Sequence, residues 1–335
     1  MLIVITDMLI NQMLYPWLLP HWEKQQTQMT AGRLHHALFI TSASGMGKLS
    51  YAQTLAQTLL CKEPIGWEPC HQCHPCQLFE TSVHPDYYLV ATEPGKVIGV
   101  DRIRHISQKL NEHSQLGGNK VVIIEHAESF NLASANALLK TLEEPSDGSY
   151  LILLAENKSQ VLPTIYSRCQ KLHLSAPAEQ ESMAWLQQQF PIESPTLTAI
   201  RINHGAPLHT LSYLNNGDDD LRKEIFSNIT LLTTQPAAIT RLCEIISDRT
   251  LEKLSWLQFI LLDLQKVKRG VGIDYIVNTD QLEWLTHFST QLSQDKITQL
   301  QSELTALRQL LMQNNNLTAE TLVLSFLIKL KRFIN

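Results

Sequence analysis

Residues 36–60 read HALFITSASGMGKLSYAQTLAQTLL: an apolar run, a turn of glycine and serine, then a segment rich in alanine and leucine. A buried strand that ends in a Gly-rich turn and opens directly into a helix is the starting unit of phosphate-binding α/β folds. The turn and the helix N-terminus point backbone N–H groups at one place, where an anion can sit. The helix must then cross back over the sheet, and right-handed crossovers make the next strands parallel.

The rest of the first half continues that alternation. DYYLVA (86–91), KVVIIE (120–125), YLILLA (150–155) and QKLHL (170–174) read as strands. DRIRHISQKLNEH (101–113) and NLASANALLKTLEE (131–144) read as helices, the second stopped by Pro145. Asp101 is the expected N-cap of the first, with Ile103, Ile106 and Leu110 on one face. Strands alternating with helices predict a parallel sheet covered on both faces.

From Ala176 the strand signals fade. AEQESMAWLQQQF, TLTAIRINH and PLHTLSYL read as three short helices, and NNGDDD (215–220) as a linker or turn. Beyond it the chain is helical. Ile297, Leu300, Leu304, Leu307 and Leu311 share one face, whereas TLVLSFLIKL (321–330) is apolar nearly all round and should be buried on more than one side, by a domain core or by a subunit interface. The expected organisation is an α/β phosphate-loop domain over 1–175, a three-helix domain over 176–217 and an all-α domain over 218–335.

A working phosphate loop reads G-x-x-x-x-G-K-[ST], in which Lys meets the β/γ-phosphates and the hydroxyl ligates Mg²⁺. Gly47 and Lys48 hold the last reliable positions and Gly45 adds freedom, but Ser42 replaces the first glycine and Leu49 replaces the hydroxyl. Leucine cannot ligate a hard cation. On the strand that should carry the metal carboxylate and the water-activating base stand Glu125 and then His126. Two defects on separate strands predict that ATP is not bound productively.

Cys61, Cys70, Cys73 and Cys76 form C-x8-C-x2-C-x2-C within CKEPIGWEPCHQCHPC. Four thiolates at this spacing suit a closed, tetrahedral structural Zn²⁺ site. His71 and His74 interleave and are the alternative ligands; iron–sulfur ligation would want a downstream Cys-Pro that is missing. Cys169 and Cys243 read as core residues.

The start, MLIVITDMLINQMLYPWLLP, carries Asp7 and no Lys or Arg before Lys24, which is not a secretory signal. It reads as a short leader with Met8 and Met13 as alternative starts, and no apolar stretch reaches membrane-spanning length. A cytoplasmic protein is expected, in which cysteines serve as ligands rather than disulfides. Net charge is −5, so contact with nucleic acid would need a local patch or partner subunits. Arg102 and Arg104 are the candidates, on what reads otherwise as a solvated helix face.

HALFI before the loop, the four cysteines, NALLKTLEEP (136–145) and TIYSRC (164–169) together resemble the clamp-loader branch of the AAA+ family, found in bacterial DNA polymerase III. YPWL (15–18), HPDYY (84–88) and LNEHSQLGGNKV (110–121) look like a non-motor subunit and not the gamma/tau motor. The resemblance covers residues 14–215 by motif and the remainder in layout. It implies a RecA-like AAA+ domain with an inserted zinc module at 61–76, a helical lid, and a collar that assembles a five-subunit ring. Ser167, Arg168 and Cys169 match the family's arginine finger, delivered into a neighbour's ATP site. Leu208, in GAPLHTL, stands where the motor's lid carries a nucleotide-sensing arginine. The implied partners are the gamma/tau motor and delta subunits and, through the assembly, the sliding clamp and primed DNA, with no membrane. Two other readings share these residues: an active gamma/tau-like motor ATPase, and a zinc-ribbon DNA-binding protein with a vestigial phosphate-loop fold.

Overall fold

The computed structural model describes residues 14–92, 96–189, 195–313 and 318–334, so the leader before Met13 lies outside the described residues. The chain divides into two compact units between Pro177 and Ala178.

The first unit is built on five strands: β1 (Ala37–Thr41), β2 (Tyr87–Val90), β3 (Lys120–Ile124), β4 (Ser149–Ala155) and β5 (Gln170–His173). They lie in the order β2-β3-β4-β1-β5, and every pair is parallel. Its helices are α1 (Leu19–Thr30), α2 (Lys48–Leu60), α3 (His74–Glu80), α4 (Val100–Asn111), α5 (Leu132–Glu143) and α6 (Pro163–Tyr166). Period-two alternation puts Phe39, Val122, Ile124, Leu151 and Leu153 on one face, packed with Ile103, Ile106 and Leu110 of α4 and Leu138 and Leu142 of α5. α2 packs against β3 and β4.

The helix starts refine the sequence reading. α5 is capped by Asn131, whose side-chain oxygen accepts from the Ser134 N–H at 2.8 Å. α4 is not capped by Asp101. Gly99 is its N-cap, without a side-chain bond, and Asp101 sits in the first turn, paired with Arg104 at 3.3 Å. A carboxylate there still favours the positive end of the helix dipole.

Two of the motifs meet in space. Asp86 of HPDYY is buried and accepts from the Ser114 hydroxyl at 2.8 Å and from the Gln115 and Leu116 N–H groups at 2.8 and 3.0 Å. This one carboxylate fixes the loop that leads into β3. Asp86→Ala would leave those donors unpaired and should cost about 2–4 kcal/mol, read as a lowered urea midpoint.

The second unit is all helical among the described residues: α7 (Glu179–Gln189), α8 (Leu197–Ile202), α9 (Pro207–Asn215), α10 (Asp218–Leu231), α11 (Ala237–Ser247), α12 (Thr250–Lys268), α13 (Leu282–Gln291), α14 (Gln294–Gln313) and α15 (Ala319–Ile334). NNGDDD is not a linker. Only Asn216 and Gly217 turn, Gly217 at φ +69°, and the three aspartates form the first turn of α10. Arg222 of that helix is fully buried and ion-paired to Asp219 and Asp280 at 3.0 and 2.5 Å. α8 is tied to the same region, Thr198 donating to Asp280 at 3.0 Å and Arg201 to the Ile276 carbonyl at 2.7 Å.

The seam on α14 is as its spacing predicts, with Ile297, Leu300, Leu304 and Leu307 buried and Leu311 packed at its edge. α15 shows how much of TLVLSFLIKL this chain covers by itself. Val323, Phe326, Leu327 and Leu330 are buried, but Leu324 and Ile328 are 37% and 40% exposed, so the helix is buried on one side within this chain.

Candidate functional site: phosphate loop, cysteine cluster and exposed arginine

The loop after β1 keeps the backbone of a phosphate loop. Gly45 and Gly47 take φ of +76° and +84°, and Gly47 is the left-handed N-cap of α2. Gly47 is required twice over. A Cβ there would also lie 2.7 Å from the Tyr15 ring and 3.3 Å from Leu18. The Tyr15 ring stacks on Trp17 at 4.9 Å, and the Trp17 indole donates to the Met46 carbonyl at 2.9 Å. The YPWL segment is therefore an aromatic cover packed onto the loop, a role that its sequence does not reveal.

The polar groups around the loop are turned toward each other. Lys48 lies 3.7 Å from Glu156, which follows β4. Burial pushes the Glu125 carboxyl up, with His126 and Lys48 opposing the shift. His126 sits in the left-handed region at φ +53°, with its Nδ1 3.4 Å from Glu128. These ends open on a groove of about 650 Å³ lined by Ser44, His126, Glu128, Asn131, Glu156 and Gln160. Gly45, Gly47, Lys48 and Glu125 follow the C-terminal ends of β1 and β3, on the same side of the sheet, where Leu49 offers no metal ligand.

The four cysteines form a second centre. α2 runs back from the loop, so Cys61 at its end lies about 18 Å from its start at 1.5 Å per residue. Cys70 follows on the loop, Cys73 is the N-cap of α3 and Cys76 lies in its first turn. The sulfurs of Cys61 and Cys70 are 3.4 Å apart, Cys61 and Cys73 3.8 Å, and Cys70 and Cys76 4.0 Å; all four fall within 4.8 Å of one another. Tetrahedral Zn–S bonds of about 2.3 Å require sulfur separations near 3.8 Å, so the cluster fits that ion. The Gln72 and Cys73 N–H groups draw the Cys70 thiol down to about 6, which favours the thiolate a metal needs. Burial pushes Cys61 and Cys76 up. His71 is engaged elsewhere, its Nδ1 2.8 Å from Glu80, and neither it nor His74 joins the cluster. Cys169 and Cys243 are buried, as read.

Arg168 follows α6 and precedes β5. The buried Cys169, its thiol donating to the Ile165 carbonyl at 3.4 Å, anchors the segment, and the Ser167 hydroxyl donates to the Thr164 carbonyl at 3.2 Å. The guanidinium is 36% exposed, held by Glu143 of the LEEP motif at 2.6 and 2.8 Å and by the Thr164 carbonyl at 3.0 Å. Its place in the sheet is decisive. Leu38 pairs with Gln170, so Arg168 stands level with the start of β1, whereas the phosphate loop leaves the other end of the same strand. At about 3.3 Å per residue the two are roughly 20 Å apart. Arg168 cannot serve its own loop.

A parallel sheet in this order with the loop after β1, a four-cysteine module inserted after α2 and an all-helical second unit define a phosphate-loop chain of the AAA+ class. Two family models match, described as DNA polymerase III, delta subunit, over residues 20–178, and DNA polymerase III, delta subunit, C terminal, over 216–332. The DNA polymerase III subunit delta′ of Escherichia coli is 32% identical over 96% of each chain, and that of Haemophilus influenzae 38% identical over 76% of this chain and 78% of its own. The Pseudomonas aeruginosa delta′ is 30% identical over 94% and 97%. The chain belongs to the family of DNA polymerase III delta′ subunits.

Proposed function

We propose that this chain is a non-hydrolysing subunit of the DNA polymerase III clamp loader, the ring that loads the sliding clamp onto primed DNA in replication, and that it supplies Arg168 to the ATP site of a neighbouring gamma/tau motor subunit. The observation that carries this reading is the position of Arg168: partly exposed, anchored by Cys169, and level with the opposite end of β1 from its own loop. A guanidinium so placed is out of reach of its own loop and is open to a phosphate that another chain would bring. Glu143 does not lock it, because an exposed ion pair is worth about 0–1 kcal/mol and yields to a phosphate.

The loop itself favours no hydrolysis. Leu49 cannot hold Mg²⁺, Lys48 is turned to Glu156, His126 faces Glu128, and Tyr15 and Trp17 pack the loop from outside. An active motor would need each of these to be undone. The chain then acts as a rigid member of the ring, joined to the gamma/tau and delta subunits through its helical second unit, where Leu324 and Ile328 offer an uncovered apolar face. The cysteine cluster holds Zn²⁺ as a structural ion. The role places the protein in the cytoplasm, and no described helix is long and apolar enough to cross a membrane. Autonomous DNA binding fits poorly, since Arg102 donates to the Ala91 carbonyl at 2.9 Å, Arg104 pairs with Asp101 and the net charge is −5.

The test is reconstitution. Gamma/tau and delta subunits with this chain should form one complex that loads the clamp on primed DNA, and omission of the chain should abolish loading. A complex that assembles and loads equally well without it would refute the assignment.

A further inference from the structure

Glu143 is the last residue of α5, and the body of that helix sets its place. Leu138 and Leu142 are packed in the core of the first unit, and the Leu142 carbonyl lies 2.9 Å from His36 Nε2, just ahead of β1. Pro145 stops the helix two residues on. α6, which carries the Thr164 carbonyl, packs against the same helix. Of the two acids in LEEP only Glu143 meets Arg168; Glu144, the C-cap, forms no ion pair among the described residues.

The contact is one-sided. Nε and Nη2 of Arg168 both point at Oε1 of Glu143, 2.8 and 2.6 Å away, and Nη1 donates to the Thr164 carbonyl at 3.0 Å. A guanidinium has five N–H donors in a fixed fork. The second N–H of Nη2 has no acceptor among the described residues, and the second of Nη1 meets only the Ser167 hydroxyl, at 3.5 Å. The two side chains are 36% and 51% exposed, so those remaining donors are within reach of a group from outside. The pair is weak enough to yield, yet it leaves donors open to a phosphate while it holds. Without the carboxylate, the guanidinium would hang on a flexible stem with one backbone carbonyl to orient it.

We propose that Glu143 is the positioning residue of this arginine: it aims the guanidinium before the neighbour's phosphate arrives. A side chain already held in one orientation loses less freedom on meeting its target, and small errors of placement at a reacting group are costly in rate. The inference rests on the reading of Arg168 as a residue that acts in a neighbouring ATP site. It gives the first acid of LEEP a task in that reaction, performed through Arg168 and not by contact with ATP.

The test is clamp loading by the reconstituted loader, read as a rate and as the half-saturating ATP concentration. Glu143→Ala should slow loading about two- to fivefold, the most that one exposed ion pair can hold, with assembly, melting temperature and half-saturating ATP unchanged. Glu143→Gln keeps an acceptor oxygen in the same place and should recover part of the rate. Glu144→Ala removes the same charge one position on and should load as the wild type does. In an Arg168→Ala background Glu143→Ala should add nothing, because an acid that works only through the arginine has nothing left to aim. Wild-type loading by Glu143→Ala, where Arg168→Ala is slow, would overturn this proposal and leave the role of Arg168 standing. A lowered melting temperature, a further loss in the Arg168→Ala background, or an equal loss in Glu144→Ala would overturn it as well. Wild-type loading by Arg168→Ala would overturn both readings.

Discussion

Replacing Arg168 by alanine is expected to leave the fold, the metal content and the assembly of the loader intact, and to cut its DNA- and clamp-stimulated ATPase and clamp loading. The guanidinium would stabilise charge building on the γ-phosphate during transfer to water, and arginine fingers in comparable GTPase reactions are worth about 10³–10⁵ in rate at the site they serve. A ring with several motor sites loses less in total ATPase, because only the site facing this subunit is affected. Arg168→Lys should rescue poorly, since an ammonium does not reproduce the planar fork that Glu143 and the Thr164 carbonyl now orient. The readout is steady-state phosphate release by the assembled loader together with clamp loading on primed DNA. Loading at the wild-type rate by an assembled Arg168→Ala ring would return the residue to an ordinary surface charge.

Purified protein is expected to carry one zinc per chain, and Cys73→Ser to lose most of it and melt earlier. The four sulfurs lie at separations suited to one tetrahedral ion, and two of the ligands, Cys73 and Cys76, start α3, so the ion would hold that helix to the end of α2. Structural zinc in small peptides contributes apparent free energies of about 10–16 kcal/mol near neutral pH, and binding free energy of this kind is folding free energy. Losing even about 3 kcal/mol of it would lower the melting temperature of a unit this size by roughly 6–12 °C. Elemental analysis and thermal denaturation, with and without chelator, provide the measurements. Full zinc occupancy in Cys73→Ser would mean that the ligand set is wrong.

Local patterns were legible in the sequence where one stretch of chain carries the whole device. The strand–loop–helix at 36–60 dictates the sheet and its parallel crossovers, and the cysteine spacing identifies a cluster that the fold closes to within 4.8 Å. What escaped were pairings between distant segments. Nothing in YPWL says that Tyr15 and Trp17 pack on Gly47 and Met46, and Lys48 meets Glu156 only because β1 and β4 are neighbours. Asp86 is one acid among many until the 114–116 turn closes over it.

One misreading and one reading left open have simple causes. A run of three aspartates after Asn-Asn-Gly resembles a solvated turn, but acids are also favoured in the first turn of a helix, where they meet the positive end of its dipole. The apolar TLVLSFLIKL shows which residues avoid water, not whether the cover comes from the same chain. Its Leu324 and Ile328 remain exposed here.

This phosphate-loop chain is expected not to turn over ATP. The decisive measurement is Mg²⁺-dependent phosphate release by the isolated protein at saturating ATP, run beside Leu49→Thr. Neither protein should exceed the buffer background, because restoring the hydroxyl leaves His126 in place of an acidic base and Lys48 paired with Glu156. Sustained multiple turnovers by the wild-type chain, or by Leu49→Thr alone, would contradict the account and make this subunit a motor.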